Sequence, residues 1–555
     1  MKRKNSGKKL IFCLICLVSF FARESTAVAR MIGKQSGVKK GNSPLEVSMD
    51  PRVELISILQ YISAFRVSGY RLMTDFDFEY RRRIDHYFAL YKNHPAVKMI
   101  EAISPKGFVG DVPPWFIIHL SDPPELKIRH PLTSRIKERI GGDKQVDQLL
   151  VLLRDFVRDT HFIDFLYKNQ DQHEKIIKAY KKKMGNHDYV KIMEDYTGMK
   201  QNWEYHAILV PLYGPLGFGL HIEGHEGKSD VFNICGPQFV ENGIPEFGTE
   251  GGLRHLLLHE FGHSVNNPLI DGYESELNNY DKLYEPIKQK AEREGYGNKW
   301  ITIAREMINC AFTIRLVDRE FGQKEAGKDL SNERKKGWAY LPAICERLKE
   351  YEANRDKYKT YADFFLRIAD LFRELSEKEL DDEFFFIPFD GTISSVRGNV
   401  KGIVIIVPTH ESDPDVLIKI QEYARKMRDE RHAGMPILTD DEALKQDLSQ
   451  KSLVVFGTKD GNLFLKRRLA DHPVQIAADA ITADIAYAGT NLRFIAAWPN
   501  PQNAKKGMVV YTAQRAEDII GIREAYAWDE EYVVARGSEV LKTGFYKKEK
   551  EKWSF

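Results

Sequence analysis

Residues 249–269 read TEGGLRHLLLHEFGHSVNNPL, and this stretch decides how the first two thirds of the chain are read. Inside it, His259-Glu260-Phe261-Gly262-His263 is an H-E-x-x-H. Residues four apart on a helix share a face, so both imidazoles reach one metal ion. Glu260 follows the first histidine and stays off the metal, placed as general base toward a metal-activated water. The context is helical. Thr249 is a candidate N-cap, Glu250 opens the first turn, and Leu253, Leu256, Leu257 and Phe261 supply apolar bulk. Pro268 is expected to stop the helix, with Asn267 helping through its side chain. The bland alternative is two half-buried histidines on a core helix beside an exposed glutamate. Imidazole and carboxylate donors with an open position imply catalytic zinc, one Zn2+ per chain.

Spacing leaves the third ligand open. A metzincin carries glycine at 266 and histidine at 269; this chain has Asn266 and Leu269, which excludes that class. Asp271, Glu274 and Glu276 follow the motif closely. Glu306 comes later, in WITIAREMINCAFTIRL from Trp300, on the face shared by Asn309, Cys310 and Thr313 of an otherwise apolar helix. His255, one turn before His259, reads as a capped or solvent-facing histidine.

Working outward, residues 205–235 turn β-like and glycine-rich (HAILVPLYGPLGFGLHIEG, then DVFNIC). The run at 213–220 precedes the motif helix at a distance suited to an edge strand that holds an extended substrate; a turn-rich hairpin is the plainer reading. It is not a nucleotide loop, since Ile222 stands where G-x-G-x-x-G needs its third glycine. The rest of 53–380 is helical in pattern, with amphipathic stretches at 75–92 and 144–168.

Past about residue 384 the text changes. GIVIIVPTH, SLVVFGT, LRFIAAWP and GMVVYTA are continuous apolar runs, as in strands buried on both faces. Helical segments at 413–428, 440–448, 463–470 and 516–523 separate several of them. The pattern predicts a smaller α/β domain over 390–540 with a mostly parallel sheet, and a charged tail over 541–555 in which residues 547–552 form a solvated end. His410, Glu411 and Ser412 follow a strand end, where α/β domains bind ligands. Neither a G-x-S-x-G elbow nor a P-loop is present, and the default role is scaffold or substrate presentation.

The chain has 555 residues, 43% hydrophobic and 29% charged, which excludes a collagen-like or mostly disordered protein. A formal charge of +2 gives no pull toward nucleic acid. Residues 1–29 read as an export signal: a basic MKRKNSGKK, the apolar LIFCLICLVSFFA, and small residues from Thr26 to Ala29. The apolar run is too short to cross a bilayer core of about 30 Å, and no later stretch spans one. Removing 1–29 strips six basic residues and one acid and takes the formal charge to −3. A lipoprotein anchor at Cys16 is disfavoured by Leu14 and Ile15. The protein is expected to be periplasmic or secreted, with residues 30–48 as a linker. Cys235, Cys310 and Cys345 remain, too few for a disulfide scaffold, and read as small buried residues.

Residues from about 50 to 380 resemble domain-of-unknown-function family 4932, secreted bacterial proteins of zincin-like metallopeptidase type. The likeness rests on DPRVELISILQYIS from Asp50, HYFALYKNHPAV from His86, HEFGHSVNNPL from His259 and YGNKWITIAREM from Tyr296. It implies an α+β zincin-like domain over 49–385, mainly helical with a small sheet, and a gluzincin-like site with Glu306 as third ligand. Where the family pattern often has a basic residue four positions after this glutamate, the chain has Cys310. Tyr296 lies in a matching segment and becomes the first candidate oxyanion donor, ahead of Tyr280 and Tyr213.

Together these readings predict an exported zinc metallopeptidase acting on peptide or protein substrates, with His259, His263 and Glu306 as ligands and Glu260 as base. The alternatives are a zinc hydrolase of non-peptide amides, and an inactive zincin-fold protein for binding or adhesion.

Overall fold

A computed structural model describes residues 45–555, apart from 65–71, 225–227, 295, 298, 470–471, 523–529 and 550–551. The export signal, Cys16 and most of the 30–48 segment therefore lie outside the described residues. No helix among the described residues is long and apolar enough to cross a membrane. The chain is α+β and forms two compact units interleaved in sequence. The first comprises the chain up to Asn279 with Arg293–Asp329 and Ala343–Phe372; the second comprises Tyr280–Glu292, Leu330–Pro342 and Arg373–Phe555.

In the first unit, strands β1 (Leu45–Ser48), β2 (Trp203–Leu209), β3 (Gly217–Glu223) and β4 (Ser229–Cys235) form one sheet in the order β1-β2-β4-β3. The last residues of the expected linker are thus a strand, with Val47 buried. β1, β2 and β4 are parallel. β3 returns to β4 through a short connection, which only antiparallel pairing permits, and so becomes an edge.

Residues 250–272 form the motif helix, Glu250–Gly272. Thr249 caps it, its side chain accepting from Gly252 N–H at 3.2 Å. The Phe261 ring meets Tyr205 on β2 edge to face, centroids 5.0 Å apart, and this seats the helix on the sheet. Pro268 does not stop it: the helix runs one more turn with Pro268 and Asn267 inside. Proline removes one donor from the ladder. Burial of Val265 and Ile270 on either side holds the helix across the gap, and Arg305 Nη1 donates to the neighbouring Asn267 carbonyl at 3.4 Å. The amphipathic stretches are shorter than their patterns. Helix appears at Glu79–Tyr87, and the second stretch divides into Asp143–Asp159 and Phe162–Lys168 around the left-handed His161.

In the second unit a seven-stranded sheet is covered on both faces, by Ile420, Ala424 and Met427 on one and by Ala443, Phe464 and Leu465 on the other. The expectation of a mostly parallel sheet is corrected. Ile403–Val407, Ile437–Thr439, Ser452–Phe456 and Asn503–Ala513 pair in parallel, but Leu492–Asn500, Tyr532–Arg536 and Glu539–Gly544 join antiparallel. The expected helix at 516–523 is only a 3-10 turn, Ala516–Ile519, and that at 440–448 is only Asp440–Ala443. In the tail, Lys547–Glu549 is exposed but not irregular. Lys547–Glu549 and Lys552–Ser554 pair as a hairpin, Tyr546 is buried, Trp553 stacks on Phe389, and the Phe555 ring packs against Tyr532 at 4.9 Å.

Candidate metal centre

The motif helix carries two kinds of side chain on two faces. His259 and His263 point toward the helix Trp300–Phe321, here called the facing helix, while Glu260 points toward β3. The facing helix is apolar along most of its length, and Trp300 anchors its start through a 2.9 Å bond from Nε1 to the Leu277 carbonyl. Glu306 projects from it into the space between the two imidazoles. One carboxylate oxygen stands 3.2 Å from His259 Nε2, and the other 3.7 Å from His263 Nε2.

Glu306 is 4% exposed and His263 is 4% exposed, so the group is closed off from bulk water. Both ring nitrogens of His263 are buried without a hydrogen-bond partner among the described residues. Burial, with His259 beside it, pulls the His263 pKa down to about 4, which keeps the ring neutral and its lone pair available. Two imidazoles converging on one carboxylate make a donor set that fits a divalent cation.

Of the acids considered from spacing, Asp271 and Glu274 are occupied elsewhere. Both accept from Arg305 Nη2, Glu274 at 2.7 Å. Arg305 immediately precedes Glu306, so this pairing fixes the facing helix against the end of the motif helix. The sequence signal for it was a basic residue beside Glu306 and two acids past the motif. Tyr296 comes to the site, its hydroxyl donating to Glu306 Oε1 at 3.3 Å. Tyr213 is engaged with Gln60 at 3.1 Å, and Tyr280 belongs to the second unit. His255 is half-buried; its Nδ1 lies 3.2 Å from Asp329 Oδ2, and its ring stacks on His259 with centroids 5.7 Å apart.

Glu260 is fully buried beneath the edge strand. A Cβ at Gly219 would lie 2.7 Å from its Oε2 and 2.9 Å from its carbonyl oxygen; one at Gly217 would lie 2.9 Å from Leu256. The two glycines of β3 therefore permit the strand to approach the helix at the proposed base. Behind the site a chain of buried groups was not foreseen. Tyr361 donates to Asn266 Oδ1 (3.0 Å), Asn266 donates to Asn309 Oδ1 (2.9 Å), and Asn309 donates to the His259 carbonyl (2.8 Å). Asn309 was noted only as a neighbour of Glu306, and polar residues on an apolar helix were the available clue. All three cysteines outside the signal segment are free thiols and buried, but Cys310 is more than filler, since its sulfur lies within reach of His259 and Glu306.

Donor atoms of His259, Glu306 and Cys310 lie within 4.8 Å of one another, and two other groups bring metal-type donors as close among the described residues. In Glu204, His206 and Asp230, burial opposes charge on His206, but bonds to Asp230 and Glu46 outweigh it and raise the pKa to about 9. A protonated imidazole is no ligand. In His410, Asp440 and Asp441, the buried Asp440 carboxylate is already satisfied by the Thr409 hydroxyl and the Leu463 N–H, both at 2.6 Å. Glu411 likewise ties two loops together by accepting from Thr458.

Residues 45–371, more than half of the chain, match the family described as Domain of unknown function (DUF4932), and the chain belongs to that family. No curated protein and no solved structure matches the chain.

Proposed function

We propose that the chain is an exported, zinc-dependent metallopeptidase of zincin type, with His259, His263 and Glu306 as ligands and Glu260 as general base. One observation carries the reading: a buried carboxylate faces both imidazoles of an H-E-x-x-H, and neither ring nitrogen of His263 has a hydrogen-bond partner among the described residues. Zinc held there would supply Lewis acidity, making a water acidic near neutral pH and polarising a carbonyl.

The chain's own groups do the rest. Glu260 takes the proton of the attacking water and passes it to the leaving amine. The buried position of that carboxylate keeps the transfer away from bulk solvent. Tyr296 offers a phenol beside Glu306 as donor to the developing oxyanion. β3 offers its edge to an extended peptide beside Glu260, and backbone pairing there would favour peptide and protein substrates over small amides.

Elemental mass spectrometry of the purified chain beginning at residue 30 tests the reading. It predicts about one zinc per chain and chelator-sensitive cleavage within a peptide library. Absence of bound zinc, after zinc has been offered and the excess removed, overturns it.

A further inference from the structure

We infer that Cys310 is a positioning residue of this centre, a single thiol that links the first histidine to the acidic ligand; the inference rests on the zinc reading above. Cys310 lies one turn after Glu306 on the facing helix and is fully buried. Its sulfur stands 3.9 Å from His259 Nδ1 and 3.9 Å from Glu306 Oε1. Neither ring nitrogen of the buried His263 has a hydrogen-bond partner among the described residues, and its Nε2 stands 3.7 Å from the same Glu306 carboxylate, an independent sign of a place for a cation.

The ring fixes the direction of each bond. Nε2 of His259 faces Glu306, so Nδ1 is the nitrogen turned to the sulfur. With Nε2 given to a metal, the neutral ring carries its proton on Nδ1, and the sulfur accepts it. The S–H of the same thiol is then directed to the Glu306 carboxylate. Each bond is weak, but together they set the orientation of two ligands at once. Imidazoles that bind metals rely on such outer partners, whose loss costs about 10- to 100-fold in affinity. The Cys310 sulfur also lies within 4.8 Å of donor atoms of His259 and Glu306, so ligation is the competing role, and the cobalt spectrum below separates the two.

Competition of the full chain against a chromophoric zinc chelator, with Cys310→Ala and Cys310→Ser beside wild type, tests the inference. Cys310→Ala is expected to bind zinc about 10- to 100-fold more weakly. Cys310→Ser, which keeps one donor and one acceptor, recovers most of the loss, and the zinc-free proteins melt together. Wild-type affinity in Cys310→Ala, or equal weakness in the two variants, overturns the positioning role. So does a thiolate-to-cobalt charge-transfer band in the cobalt-loaded protein that disappears in Cys310→Ser, because it would make Cys310 a ligand. A wild-type chain that binds no zinc defeats the zinc reading itself, and this inference with it.

Discussion

Gly262 leaves room for the Asn309 side chain against its backbone: a Cβ at position 262 would lie 2.6 Å from Asn309 Oδ1 and 3.3 Å from the Phe312 ring. This close approach lets Asn309 reach the His259 carbonyl and lets Glu306, one turn earlier, reach both imidazoles. Gly262→Ala should therefore force the helices apart, at a cost of about 1–3 kcal/mol in stability. Zinc affinity should fall with it. Chemical denaturation of the zinc-free protein and chelator competition read the two effects separately. Wild-type values in both would mean that the helices yield freely and that the glycine does not set the site.

The same register predicts which acid matters. Glu306→Gln should lower zinc affinity by more than the ~10- to 100-fold typical of losing an outer partner. Asp271→Asn and Glu274→Gln should still take up stoichiometric zinc, since both carboxylates serve Arg305 instead. Zinc content after dialysis decides the matter: loss of the metal in Asp271→Asn, with retention in Glu306→Gln, would reverse the ligand assignment.

Glu260 faces the edge strand rather than Glu306, which separates catalysis from binding. Glu260→Gln keeps the size of the side chain under Gly219 while removing its basicity. It should hold zinc like wild type and hydrolyse peptides roughly 100- to 10,000-fold more slowly, the usual worth of a positioned base. A fluorogenic peptide assay on zinc-loaded protein measures this, and near wild-type turnover would assign the base elsewhere.

How far the sequence reaches depends on which interactions fix each feature. The motif helix is legible because its chemistry and its cap coincide in one local stretch, from Thr249 to His263. Its end is not, because the rule that proline stops a helix counts one lost bond and cannot see that Val265 and Ile270 are buried on either side of it. Choosing Glu306 over Asp271 depends on the register of two helices, set by Gly262, Asn309 and the Arg305 pair, and no spacing rule contains that. The second unit was misread for a different reason. Continuous apolar runs look alike in parallel and antiparallel core strands. Yet the short polar link between Asn500 and Asn503 is too brief for a crossover, so the antiparallel pairing there was readable. In the tail, the lysines and glutamates hid the aromatic contacts of Tyr546, Trp553 and Phe555.

Away from the centre, Glu54 gives the fold a pH dependence of its own. It is buried on the helix Pro51–Ile62, one carboxylate oxygen accepting from Tyr80 Oη at 2.5 Å and the other without a hydrogen-bond partner among the described residues. Burial raises its pKa from 4.5 to about 7; the Tyr80 bond opposes this, and Asp50 adds to it. The folded protein therefore holds this proton more tightly than the unfolded chain does. The stability it contributes is complete below about pH 4.5 and is lost as pH rises through about 7, on the order of 3 kcal/mol in all. Glu54→Gln cannot titrate, so the difference in stability between variant and wild type should shift in the variant's favour between pH 5 and pH 8. Urea denaturation across that range gives the difference directly. A difference that stays constant with pH would show that Glu54 is already ionised in the folded protein at pH 5, and would remove it as a source of the dependence.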